Sequence, residues 1–165
     1  MHITHPWPPV YDGQSKILIL GSMPSPKSRE CGFYYGNPQN IFWATAARVL
    51  GQDEPHADVQ SRTAFLLKSR IALWDVLYSC EITGAADSSI SAPVAHRFAP
   101  LLGRTQIGAV FTTGRAATEL FNRLCSAEAG MTSVYLPSTS PANRAAQSKP
   151  AFLRLWGLIA DALSG

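Results

Sequence analysis

The sequence is poor in charged residues. Only 15% of its 165 residues are Asp, Glu, Lys or Arg, whereas 46% are apolar. A chain with this balance is not intrinsically disordered, and it is long enough to bury a sizeable hydrophobic core. We therefore predict one domain over residues 1–165, because no linker, low-complexity tract or internal repeat divides the chain.

Cysteine is also scarce. The three cysteines, Cys31, Cys80 and Cys125, form no CxxC pair, so neither a disulfide framework nor a zinc or iron–sulfur site is indicated. The four histidines are scattered without the spacing of metal ligands. We expect a reduced, cytoplasmic chain that needs no metal and no other cofactor.

The motifs of several common site types are absent. No apolar run approaches the roughly 20 residues of a membrane span, and we interpret the proline- and aromatic-rich start as an arm lying on the domain rather than a signal peptide. The patterns GxxxxGK[ST] and GxGxxG are missing, which disfavours a nucleoside triphosphate or dinucleotide site. GxSxG is missing too, so a hydrolase that uses a loop serine is only a weak alternative.

Four short apolar runs predict strands that are buried on both faces, as in a parallel sheet. They are residues 16–20, 71–77, 108–112 and 132–136. Helical patterns separate them, at residues 38–50 with Asn37 as the N-cap, 61–68, 93–102, 113–124 and 150–163. This alternation predicts an α/β fold, a three-layer α/β/α sandwich around a short four-stranded, mostly parallel sheet.

Two of the predicted strands open into loops with polar side chains. GSMPS (residues 21–25) follows the first strand, and LPSTSPAN (residues 136–143) includes the end of the last. Because ligands of open parallel sheets bind at the carboxyl ends of the strands, we expect the two loops to share one site. The backbone N–H groups and the hydroxyls of the first loop could bind a phosphate or a carbonyl group.

The segment GFYYGNPQNIFW (residues 32–43) places five aromatic residues among two asparagines and a glutamine. Phe42 and Trp43 are predicted to be core residues of a helix, whereas Tyr34 or Tyr35 could stack on a nucleobase in a loop. Asn40 is expected in the first turn of that helix, either as a capping side chain or as a site residue. The combination indicates a nucleobase pocket.

The net charge of +3 is compatible with a polyanionic partner. Residues 129–160 contain no acid but include Arg144, Lys149 and Arg154. On the residues alone, this stretch is either a phosphate-binding face or an ordinary solvated surface.

These motifs resemble the uracil-DNA glycosylase superfamily, and most closely its hypoxanthine-DNA (deoxyinosine) glycosylase branch. ALWDVLYSCEITGAADSSI (residues 72–90) and FTTGRAA (residues 111–117) are similar to that branch as well, so the resemblance spans most of the chain. It implies an α/β/α sandwich and a monomeric enzyme that acts, at the nucleoid, on double-stranded DNA with a deaminated or mismatched base. The implied reaction is hydrolysis of the N-glycosidic bond, which leaves an abasic site.

The resemblance also implies roles for individual residues. Mismatch-specific relatives carry a water-positioning asparagine in the first loop, where this chain has Met23; in the deoxyinosine branch the asparagine of the YGxPxN motif, here Asn40, takes that role. Tyr35 matches the base-stacking aromatic, and Asn37 replaces the usual histidine of that motif. Asp75 lies where many members carry a base-reading asparagine, and a salt-bridged carboxylate at a strand end is the alternative.

The remaining assignments concern the base edge and the DNA backbone. The predicted base-binding residues are Gly21, Ser22, Met23, Pro24, Tyr35 and Asp75. The predicted DNA-binding residues are Ser25, Ser138, Thr139, Ser140, Asn143 and Arg144, although a turn that caps the next helix is the alternative for the last five. Lys27 is interpreted as a surface or phosphate-contacting residue rather than a Schiff-base former, so we expect a monofunctional glycosylase. The alternative function is a catalytically weak or inactive module of the same fold that binds nucleic acid or a nucleotide, which Met23 favours.

Overall fold

The computed structural model describes residues 1–165 and contains two β-sheets. The strands are β1 His2–Thr4, β2 Ile17–Gly21, β3 Ile71–Asp75, β4 Leu77–Glu81, β5 Ser91–Ala95, β6 Ala109–Thr113 and β7 Ser133–Leu136. The helices are α1 Pro26–Cys31, α2 Phe42–Leu50, α3 Val59–Lys68, α4 Ala99–Gly103, α5 Arg115–Leu124, α6 Ser126–Ala129, α7 Arg144–Gln147, α8 Pro150–Trp156 and α9 Leu158–Ser164. None of these helices is long and apolar enough to cross a bilayer.

The four predicted apolar runs supply the central sheet. Its strand order is β3-β2-β6-β7, and every neighbouring pair is parallel. Side chains of β2 alternate between two hydrophobic cores: Ile17 and Ile19 belong to one, Leu18 and Leu20 to the other. Helices α2, α3, α8 and α9 contribute to the first core, and α4 and α5 to the second. The predicted three-layer sandwich is confirmed.

The predicted strand over residues 71–77 is wrong in its extent. β3 ends at Asp75, and Leu77 begins β4, which belongs to a second sheet with the antiparallel order β1-β4-β5. The chain changes sheet at Val76, whose N–H donates to Gly21 O and whose carbonyl accepts from His96 N–H. The N-terminal arm lies on the domain as predicted, because β1 pairs with β4 and Val10 pairs with Leu73.

Two predicted helices are also corrected. Residues 91–95 form the edge strand β5 instead of starting a helix at Pro93, and only α4 is helical in that region. Proline lacks an N–H and is tolerated on a sheet edge. The helix predicted from Pro38 starts at Phe42, because residues 37–40 form their own turn: Asn37 Oδ1 accepts from Gln39 N–H, and Asn37 O accepts from Asn40 N–H.

The remaining helix predictions are close to the structure. The predicted helices at residues 61–68 and 113–124 correspond to α3 and α5, each with small differences at the ends. The predicted helix from Pro150 is divided at Gly157 into α8 and α9, and its apolar stripe is buried at Phe152, Trp156, Ile159 and Leu163.

The central sheet places one group of loops together. Strands β2, β3, β6 and β7 are parallel, so their carboxyl ends lie at the same edge. The chain passes from β2 to β3 on one side of β2 and later to β6 on its other side. Ligand sites of open α/β sheets lie at such a switch in strand order.

Candidate active site

A cavity of about 290 Å³ opens at this edge of the sheet. This volume is close to the lower limit for small-molecule sites and suits one flipped nucleobase. Its lining includes the predicted residues Gly21, Ser22, Met23, Pro24, Ser25, Tyr35, Asn40, Asp75, Ser138, Thr139 and Ser140. Asn143 and Arg144 lie outside the lining. One cavity is therefore lined by residues from the loop GSMPS, from the loop LPSTSPAN and from the aromatic segment GFYYGNPQNIFW.

Tyr35 is held in an unusual backbone conformation. Its φ is +49°, a left-handed value that non-glycine residues seldom adopt and that tends to occur at functional sites. One face of its ring stacks on Phe42 at 4.2 Å between centroids and an interplanar angle of 11°, and its hydroxyl lies 3.2 Å from Thr113 Oγ1. Burial raises the pKa of Tyr35, and the charge of Asp75 adds to the effect. The stacking on Phe42 and the hydrogen bond with Thr113 fix the Tyr35 ring, and the raised pKa keeps its hydroxyl neutral.

Tyr34, the other candidate for base stacking, is used elsewhere. It is buried, and its hydroxyl donates to Pro8 O at 2.9 Å. Burial raises its pKa as well. Phe42 and Trp43 are core residues as predicted. Tyr34 also borders the cavity, but its ring is almost fully buried and its hydroxyl is engaged, whereas Tyr35 is partly exposed there.

Asn40 lies two residues before α2 rather than in its first turn, which corrects the sequence prediction. Its side-chain Oδ1 accepts from Phe42 N–H at 2.9 Å, and its backbone N–H donates to Asn37 O. The side chain thus caps the helix and also lines the cavity. Both interpretations of Asn40 are compatible, because an amide oxygen has two lone pairs and the Nδ2 group has no protein partner.

Asp75 is a buried carboxylate at the end of β3. Its Oδ2 lies 2.8 Å from Nε2 of His5, and the side chains are 5% and 1% exposed, respectively. A Cβ atom placed on Gly21 would lie 2.6 Å from Asp75 Oδ1 and 3.1 Å from Tyr35 Oη. Glycine is required at this position because the two side chains fill the space in front of it. The predicted alternative of a paired carboxylate at a strand end is present as the hydrogen bond to His5, and Asp75 lines the cavity as well.

Two further residues of the cavity were not predicted from the sequence. Thr113 at the end of β6 holds the Tyr35 hydroxyl, and Asp87 Oδ1 accepts from the Ser22 hydroxyl at 2.9 Å. Although Asp87 as a residue is exposed, partial burial of its carboxylate raises its pKa, and the nearby charge of Asp75 adds to this rise. Both residues lie in segments that carried the family resemblance, so a motif comparison was the signal available for them.

The loop of residues 137–140 is held by the rest of the fold. Asn143 Nδ2 donates to Ser138 O at 2.9 Å, and Ile41 N–H donates to Thr139 O at 3.1 Å. Ser140 caps the short turn Pro141–Asn143, so the predicted capping alternative is present too. The Thr139 hydroxyl is buried without a hydrogen-bond partner. These contacts fix the loop in place where Ser138, Thr139 and Ser140 line the cavity.

His96 lies beside this cavity and contributes a pH dependence. Its ring stacks on Trp74 at 3.7 Å, and its Nδ1 donates to Asp75 O at 2.9 Å. Burial is the main cause that lowers the pKa of His96 from 6.5 to about 4; the hydrogen bond to Asp75 O opposes this fall, and the nearby His5 adds to it. In the unfolded chain, His96 therefore takes up a proton near pH 6.5, whereas in the folded protein it does so only near pH 4. Its stability contribution is present above pH 6.5 and is lost as the pH falls toward 4.

We expect His96→Asn to flatten this dependence, because asparagine can keep the donor to Asp75 O without titrating. Between pH 7 and pH 4.5, the wild-type free energy of unfolding should fall relative to the variant by up to about 3 kcal/mol. Urea unfolding at several pH values measures the difference. Parallel curves for the two proteins would show that His96 is not the titrating group.

The comparison with known families decides the assignment. The family model described as Uracil DNA glycosylase superfamily matches residues 8–159, which is most of the chain. The chain belongs to the uracil DNA glycosylase superfamily. The resemblance of its motifs is thereby confirmed, and by family the chain is a DNA N-glycosylase, a hydrolase of N-glycosyl bonds.

Relatives within the superfamily share both sequence and fold. A hypoxanthine DNA glycosylase of Methanosarcina acetivorans is 34% identical over 139 residues, which span 84% of this chain and 87% of that protein. One of Methanosarcina barkeri is 36% identical over 95 residues, or 58% of this chain and 60% of that protein. The solution NMR structure of a Methanosarcina acetivorans protein classed with the uracil DNA glycosylases superposes with a TM-score of 0.81 at 30% identity, with complete coverage of both chains.

Proposed function

We propose that this glycosylase removes a deaminated base, in particular hypoxanthine, from double-stranded DNA by hydrolysis and leaves an abasic site. One observation carries the proposal. One cavity, whose size suits one base, is lined by an aromatic ring, Tyr35, by a carboxamide, Asn40, and by a carboxylate, Asp75. These are the groups needed to stack a base, to align a water molecule and to bond to the base edge. The names of the two relatives also support hypoxanthine as the substrate.

Entry of the base requires that it leave the duplex. Flipping costs a few kcal/mol, and the cost is smallest for a mispaired base, which favours deaminated over normal pairs. In the proposal, Ser138 and Ser140 hold the DNA backbone through their hydroxyl protons, the buried Thr139 keeps the shape of the loop, and Asn143 supports it. Arg144 is exposed beyond the cavity and would contact a phosphate. Monomeric action on DNA at the nucleoid, in the cytoplasm, is part of the same proposal.

Within the cavity, the base lies on the face of Tyr35 that Phe42 does not cover. Such stacking contributes about 1–3 kcal/mol per base. The polar edge of the base then faces the loop from Gly21 to Ser25 and the Oδ1 atom of Asp75. The hydrogen bond between Tyr35 and Thr113 fixes the ring before the base arrives, so little ordering cost remains at binding.

The chemical step breaks the bond between C1′ and the base nitrogen. As that bond stretches, the sugar acquires oxocarbenium-like positive charge, as in glycoside cleavage generally. The carboxylates of Asp75 and Asp87 both border the cavity and would stabilise this charge. Asn40 aligns the attacking water with the second lone pair of Oδ1, since the first accepts from Phe42 N–H. An amide is not an effective base, so its contribution is orientation.

The proposal is tested with a panel of duplexes. Each carries one hypoxanthine, uracil, xanthine or T:G mismatch, and each is incubated with excess protein and then treated with alkali. We expect strand breaks at the altered base, with hypoxanthine cleaved fastest. A panel that remains intact would contradict the proposed function.

One observation favours the alternative of a binding module without catalysis. Met23 occupies the position of the family's first-loop asparagine, and the Asn40 oxygen is already engaged in a cap. If this alternative holds, the protein binds hypoxanthine-containing duplex but releases no base. Measuring binding and base release on the same duplex separates the two functions.

A further inference from the structure

His5 is a buried histidine that is far from the cavity in sequence but adjacent to it in space. Its Nε2 lies 2.8 Å from Asp75 Oδ2, and its Nδ1 lies 2.8 Å from Trp7 O and 3.3 Å from Trp7 N. An ionised carboxylate can only accept hydrogen bonds. The proton in the bond between His5 and Asp75 is therefore on Nε2, whichever backbone group of Trp7 pairs with Nδ1.

The position of the His5 ring is fixed by its surroundings. The backbone N–H of His5 donates to Tyr78 O at 2.7 Å, which continues the pairing of the N-terminal arm with the second sheet. Tyr34 and His96 contact the ring, with centroids at 5.9 and 5.0 Å. With its side chain only 1% exposed, His5 has no room to release Asp75 and point into solvent.

The hydrogen bond to His5 gives the two oxygens of Asp75 different surroundings. Oδ2 is occupied by the imidazole, whereas Oδ1 has no protein donor and lies in front of Gly21, beside the Tyr35 hydroxyl. Oδ1 is not fully buried, and Asp75 lines the cavity, so this oxygen can accept a hydrogen bond from a molecule bound there. In the proposed function, the bound base supplies that donor.

We propose that His5 is a positioning residue that holds Asp75 as a fixed acceptor for the lactam N–H of the flipped base, and that this contact selects bases which carry that N–H. The inference rests on the proposed function. Deamination creates this group: N1 of adenine and N3 of cytosine are acceptors, and they become N–H donors in hypoxanthine and uracil. Xanthine, guanine and thymine carry the same donor, so the contact separates adenine and cytosine from their deamination products.

His5 matters to this selection because a carboxylate can change its role. Without the imidazole donor, Oδ2 would be a buried unpaired charge, and the carboxyl group would turn toward another donor or take up a proton. A protonated carboxyl donates as well as accepts, and so does an amide. A protonated Asp75, or an asparagine in its place, would let the site donate to a ring nitrogen with a free lone pair. The bond to His5 keeps Oδ1 an acceptor only.

The test compares two substrates in the full-length protein. One duplex contains hypoxanthine and the other contains purine, whose N1 is an acceptor and which has no C6 oxygen. Single-turnover rates of base release give a hypoxanthine-to-purine ratio for each variant. This ratio does not depend on how much of a variant folds. We expect His5→Phe to lower it about 10- to 100-fold and Asp75→Asn to lower it by at least as much.

Two further variants complete the design. His5→Gln can keep an N–H donor toward Asp75 and is expected to restore most of the ratio. His2→Phe alters the exposed histidine of the same arm, which pairs with Glu81, and is expected to leave the ratio at the wild-type value.

The outcomes distinguish this inference from the function on which it rests. If His5→Phe and Asp75→Asn slow both substrates equally, or slow neither, His5 only joins the arm to the sheet and the inference is overturned. If the wild-type protein releases no hypoxanthine, the proposed function itself is overturned, and the inference with it. If the wild-type enzyme releases hypoxanthine and the variants have the same hypoxanthine-to-purine ratio as the wild type, only the inference about His5 is overturned.

Discussion

Asn40→Ala is expected to slow the release of hypoxanthine by about 100- to 1,000-fold under single-turnover conditions. The reason is that Asn40 Oδ1 accepts from Phe42 N–H, which sets the orientation of the carboxamide at the cavity before water binds. Binding of duplex with an uncleavable 2′-fluoro hypoxanthine nucleotide should change only a few-fold, because Asn40 aligns water rather than the base.

Loss of the cap must be separated from loss of the water contact. Removing a cap costs about 1 kcal/mol of stability, which alone does not slow the chemical step. Asn40→Asp keeps an oxygen acceptor for Phe42 N–H and is expected to retain more activity than Asn40→Ala. A much slower rate of Asn40→Ala than of Asn40→Asp, measured at a temperature at which both variants are fully folded, would support the assignment. Full activity of Asn40→Ala would contradict it, even if the enzyme class is correct.

Gly21→Ala is expected to lower base release by about 100-fold or more, while the protein stays folded. The new methyl group would lie 2.6 Å from Asp75 Oδ1 and 3.1 Å from Tyr35 Oη. Neither neighbour can move freely, because His5 holds the carboxylate and Thr113 holds the hydroxyl. Displacement of site groups by about 1 Å reduces rates by about 100-fold, and overpacking costs about 1–3 kcal/mol of stability.

The matched control is Gly13→Ala. A Cβ atom on Gly13 would have no neighbour within 4 Å, and the residue does not have a positive φ. We expect this variant to keep wild-type rates and a similar unfolding midpoint in urea. Gly21→Ala with unchanged rates would show that the base does not bind in front of Gly21.

The sequence predicted the sheet because its strands carry a local signal. The runs that form β2 and β3 are almost entirely buried, and the only charged residues in the four runs are Lys16 and Asp75, each at or near a strand end. The loops at the strand ends followed from the same reasoning. Where local chemistry competes, the prediction was wrong: the Asn37 side chain closes a turn with Gln39, and Pro93 lies on an edge strand.

The family motifs predicted which residues line the cavity, but not what fixes them there. His5 and Asp75 are 70 positions apart, and Tyr35 and Thr113 are 78 apart. No periodicity links such pairs, since they meet only after the N-terminal arm and the sheet have formed. The two histidines of the proline-rich arm have no spacing that indicates a role, so the partner of His5 is visible only in the structure.

The proposed reaction is tested most directly by its products. A duplex with one hypoxanthine opposite thymine is incubated with excess enzyme, and the free base and the strand are quantified from the same sample. We expect one free hypoxanthine per abasic site, an intact strand before alkali, and a break after it. Strand breakage without alkali would contradict simple hydrolysis, and a tightly bound duplex that releases no free base would contradict the proposed function.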